Sequence, residues 1–70
     1  MKDSKLIAQE LFENLTTEEM LDKKVIKEQL TMMADESETF ENRVFCVGVR
    51  EIVKQCKKLA KGELWYARVN

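Results

Sequence analysis

Residues 43–62 read RVFCVGVREIVKQCKKLAKG, and the fold turns on how this stretch is taken. Phe45, Val49, Ile52, Cys56 and Leu59 step by four, three, four and three, the spacing of one apolar face on an α-helix. The other side carries Arg50, Lys54, Lys57, Lys58 and Lys61 against one acid, Glu51. At 100° per residue these five cations fall within an arc of about 100°. Two features oppose a single helix. Residues 44–49 are β-branched and aromatic apart from Cys46 and Gly48, and a glycine inside a helix costs about 1 kcal/mol relative to alanine. A strand over 43–49, or a turn at Gly48 between two shorter helices, are the alternatives. The stripe crosses Gly48 in phase, which favours one helix over 38–61.

Gly62 follows a lysine-rich turn and reads as that helix's end. Beyond it, ELWYARVN alternates Leu64, Tyr66 and Arg68 with Trp65, Ala67 and Val69, the pattern of an extended segment lying on the helices. Working back from position 43, Ser37 is placed to cap the basic helix, with Phe40 and Val44 on a row beside the main stripe. DESET, residues 35–39, is a polar connection of ordinary length.

LTTEEM, residues 15–20, is the clearest punctuation in the chain. Thr16 followed three residues later by Glu19 is a capping box, and Leu15 and Met20 stand where a hydrophobic staple would sit. A second helix therefore starts at Thr17 and runs to about Ala34. Its apolar residues form two rows, Leu21, Val25, Met32 and Ile26, Leu30, Met33, so it is either buried on both flanks or broken near Asp22–Lys23. Ahead of it, Ser4 reads as the N-cap of a first helix over 5–14, with Ile7, Ala8, Leu11 and Phe12 on one face.

The expected architecture is a mainly α, single small domain over 1–70: three helices at 5–14, 17–34 and 38–61, then a short C-terminal extended segment. The alternative is an α+β, winged-helix-like arrangement with 64–69 as a strand. No proline and two glycines suit long regular elements, and 44% hydrophobic residues supply one small core. A chain of this size buries only about 60% of its unfolded surface, which points to marginal stability and a homodimer. No apolar run is long enough to cross a bilayer, and MKDSKLIAQE lacks a signal-peptide core, so a cytoplasmic setting is expected. Cys46 and Cys56 are too far apart along one helix to bridge, and both are expected as free, buried thiols.

Histidine is absent, which removes the commonest general base and metal ligand. Two cysteines without a metal-binding spacing, and no glycine in a phosphate-cradling loop, leave no catalytic, metal or cofactor site in view. The net charge of −1 conceals a split: residues 1–42 carry eleven acids and five bases, residues 43–70 seven bases and two acids. The halves either neutralise each other on folding or leave a docking face. The candidate partner-binding residues are Arg50, Lys54, Lys57, Lys58 and Lys61 on the basic face, with Trp65 and Tyr66 as aromatic anchors or core closure. The expected function is that of a non-enzymatic regulatory protein, inhibitory in one form, that binds an acidic surface on a larger protein. The alternative is a DNA-binding regulator using the basic helix after Gly48, with Gln55 available to read bases.

Overall fold

The structure, a computed structural model, describes the backbone of residues 2–69 and the side chains of residues 3–62. Four helices follow one another: α1 Lys2–Phe12, α2 Lys23–Glu36, α3 Glu38–Val47 and α4 Val49–Val69. A 3₁₀ turn, Glu19–Leu21, precedes α2. The chain is mainly α, as its periodicity predicts. No strand occurs among the described residues, so the winged-helix-like alternative has no wing.

The basic helix is two helices. Gly48 sits at φ 94° and ψ 135°, outside any helical region, between α3 and α4. Its N–H still donates to the Val44 carbonyl at 2.8 Å, closing α3, and its own carbonyl accepts from Ile52 N–H at 3.2 Å, opening α4. The break resets the phase that had linked Phe45 to the stripe. Val49, Ile52, Cys56 and Leu59 pack in or against the core from α4, but Phe45 is 88% exposed. α3 turns its neighbouring row inward instead, Phe40, Val44 and Val47.

At the other end, α4 does not stop at Gly62. Its backbone stays helical to Val69, where the alternating pattern predicts an extended segment. The cost of one glycine is about 1 kcal/mol, and Glu63, Leu64, Ala67 and Arg68 are all good helix formers, so a helix already propagating continues through it.

The capping box is present: Thr16 N–H donates to Glu19 Oε1 at 2.9 Å, and Glu19 N–H to Thr16 Oγ1 at 3.2 Å. It opens the 3₁₀ turn, not a helix over 17–34. Asp22 then starts α2, its Oδ1 accepting from Lys24 N–H at 2.9 Å. This is the break near Asp22–Lys23 that the two apolar rows allow. It lets Met20 and the Ile26–Leu30 row reach one core from different directions. Ser37 caps α3 through Phe40 N–H at 3.2 Å, as expected. Ser4, by contrast, lies inside α1 and is fully buried, on the same face as Ile7, Ala8 and Leu11. That face meets α4, the most extensive helix pair in the molecule. Ser4 and Ala8 on α1 and Ala60 on α4 are small and buried, which suits a close approach of the two axes.

Candidate partner-binding surface

α4 is amphipathic, and its core side decides where its charges go. Ile52, Val53, Cys56 and Ala60 are buried, so the arc opposite them is turned to solvent. Arg50, Lys54, Lys58 and Lys61 are exposed on it, and Lys57 is half-buried. Among the described residues, no carboxylate lies within ion-pair distance of any of these five. The ion pairs belong to Arg43, which reaches Glu10 Oε2 at 3.1 Å and Asp3 Oδ1 at 3.7 Å on α1 and stands 5.9 Å over the Phe40 ring. Among the described residues, the ion pairs between the two halves of the chain are those of Arg43, and none involves these five α4 cations.

Coulomb's law shows why the fold tolerates this. Two unit charges about 8 Å apart in water repel by roughly 0.5 kcal/mol, and salt screens them further. No internal counter-charge is required for the fold to hold these cations on one face.

The surface is also wider than α4. Lys23 and Lys27, one turn apart on α2, border a groove with Val49, Arg50, Val53 and Lys57. Its continuation is lined by Lys27, Leu30, Thr31, Ala34, Val44 and Val49. Sequence reasoning passed over the two α2 lysines because they sit in the acidic half of the chain. Their i, i+4 spacing was the available signal, but only the tertiary fold places that row beside Arg50 and Lys57.

Gln55, the residue suited to base readout, is 7% exposed and donates through Nε2 to Glu51 Oε1 at 3.3 Å. It faces the protein. The side chains of Trp65 and Tyr66 lie outside the described residues. Cys56 is buried and its thiol is pushed up to about 11 by desolvation, while Cys46 is exposed on α3, contrary to the expectation that both are buried. The Gly48 break accounts for Phe45; Cys46 lies about 100° round the helix from it, off the apolar stripe with or without the break.

No family model, curated protein or solved structure matches the chain. Its surface is what a function must be read from. Among the described residues, no helix is long and apolar enough to cross a membrane, and no three Cys, Asp or Glu side chains converge as a metal site would need.

Proposed function

We propose that the chain is a non-catalytic binding protein that docks its cationic α2–α4 surface on an acidic surface of a larger protein and thereby modulates that protein. One observation carries this reading: cations from two helices border one surface, and no carboxylate of the described fold pairs with those on α4. Burying such a patch against carboxylates gains charge-assisted hydrogen bonds and sacrifices no internal ion pair. The cytoplasm is the proposed setting, where the exposed Cys46 thiol would stay reduced.

The Gly48 turn does put a basic helix second in a helix–turn–helix order, which favours DNA as the second reading. Against it, Gln55 is turned inward and exposed lysines neutralise phosphates without distinguishing bases. α2 also stands beside α4 along the groove, so the basic helix does not project alone as a major-groove reader must.

The test is the double substitution Lys57→Ala/Lys58→Ala. Its unfolding free energy is expected to stay within about 0.5 kcal/mol of the parent, as for surface changes without a buried partner. Proteins retained from an extract of the source cells by the immobilised parent chain should be lost from the variant. Duplex DNA bound at physiological salt, and released by the same substitution, would transfer the surface to nucleic acid.

A further inference from the structure

We infer that the occupant of this surface is an acidic amphipathic helix lying along α2, in the groove that α2 forms with α4 at the Lys23 end and with the α3–α4 corner, Val44 and Val49, at the Ala34 end. This rests on the protein-binding reading above and specifies the partner's form.

The groove has two unlike ends. Toward Ala34 its floor is apolar, with Leu30, Ala34, Val44 and Val49. Toward Lys23 it is bordered by Lys23, Lys27, Arg50 and Lys57, with Val53 between them. Lys27 and Val49 line both parts, so the two are continuous. From Lys23 to Ala34, at 1.5 Å per residue, α2 offers a wall about 16 Å long, or roughly three helical turns. Two helices walling an apolar trough accept a third by ridge-into-groove packing. A helix satisfies its own backbone hydrogen bonds and can face Leu30 and Val44 without stranding polar groups. An extended peptide would leave N–H and C=O groups against that floor. Charge complementarity then selects the side chains. Apolar residues at i, i+3, i+4 and i+7 match the floor, and Asp or Glu on the flanks match the lysines and Arg50.

A labelled peptide of about 14 residues serves as the probe, with leucines at that spacing and glutamates flanking them. Two controls accompany it: the same composition with the leucines out of register, and a version with lysine replacing every glutamate. Fluorescence anisotropy at physiological salt is expected to show the in-register acidic peptide binding at least tenfold tighter than either control. Thr31→Trp sets a ring into the apolar end from an exposed position and should weaken that binding at least tenfold. The exposed pair Lys23→Glu/Lys27→Glu should exchange the preference, losing the acidic peptide and gaining the lysine version.

Equal binding of both acidic peptides, unaffected by Thr31→Trp but lost with Lys57→Ala/Lys58→Ala, would overturn the groove and leave the acidic-partner reading standing. If neither acidic peptide binds and the lysine double variant still retains the same extract proteins, both readings fail together. A dimer of the chain alone in sedimentation, split by Thr31→Trp, would give the groove to a second copy and overturn the assignment. Displacement of the acidic peptide by a short DNA duplex at that salt would overturn it in favour of nucleic acid.

Discussion

Cys46 and Cys56 lie ten residues apart and differ completely in what they can do. Cys56 packs among Ile52, Val53 and Ala60 and has no water to stabilise a thiolate, which raises its pKa from 9.0 to about 11. Because the folded-state value exceeds the unfolded one, folding is favoured while the thiol is protonated in both states. That contribution is full below about pH 9 and is lost as pH rises through 11. At 1.36 kcal/mol per unit, the loss amounts to roughly 2–3 kcal/mol. Denaturant titrations from pH 8 to 11 should show a steeper decline for the parent than for Cys56→Ala, which lacks the thiol. A thiol reagent should label Cys46 rapidly and Cys56 only after unfolding; equal rates would remove Cys56 from the core. Half of this was legible in the sequence. Cys56 belongs to the four apolar positions of α4, whose phase is uninterrupted. Cys46 stands one residue from Phe45, about 100° off the apolar stripe, so no periodicity placed it in the core.

At the scale of the elements, short local signals proved readable and the angles between helices did not. The Thr16–Glu19 exchange and the Ser37 cap involve side chains three residues from the groups they satisfy, so their spacing alone announces them. Whether Gly48 bends the chain is a tertiary question. Burying the Phe40–Val44–Val47 row of α3 competes with keeping Phe45 on the stripe, and the sequence displays both options. Ser4 was misread for a related reason. An N-cap and a small residue on a crowded helix face use the same side chain, and only the arrival of α4 distinguishes them. Gly62 shows the converse, a nominal helix stop that is passed because a helix already propagating meets good helix formers at Glu63, Leu64, Ala67 and Arg68. Gly48→Ala measures the cost of the bend. Open space surrounds the missing Cβ, so any loss comes from backbone strain at φ 94° and not from a clash. A destabilisation of about 1–3 kcal/mol is expected in chemical denaturation. An unchanged midpoint would mean that α3 and α4 can join as one helix without loss.

At the scale of the whole molecule, Arg43 makes a long-range polar connection. It donates through Nη1 to Glu10 Oε1 at 3.4 Å while Nη2 faces Glu10 Oε2, clipping α3 to α1 above Phe40. Its partners remain partly hydrated, so the pair is worth about 1 kcal/mol or less, near the upper range for exposed pairs. Lysine lacks the planar fork and should restore little of it. A double-mutant cycle with Arg43→Ala and Glu10→Gln should give a coupling of that size that shrinks in molar salt; zero coupling at low salt would make the clip ornamental. The charge split along the chain foretold some such link between halves. It could not foretell that, among the described residues, Arg43 would be the arginine that makes it.

The seam between α1 and α4 has a consequence for synthesis. Of these four helices, α1 leaves a ribosome before the α4 residues that form its main cover, since Ile52, Cys56 and Ala60 follow Ile7 and Leu11 by about fifty residues. The α2–α3 hairpin between them can form early, from contacts close in sequence. Until residues through Ala60 have emerged, however, the inner face of α1 lacks its most extensive partner and has only its smaller contacts with α2 and α3. During synthesis of this segment the face of α1 that α4 covers therefore stays open until α4 is made, and closure of the seam follows the α2–α3 hairpin.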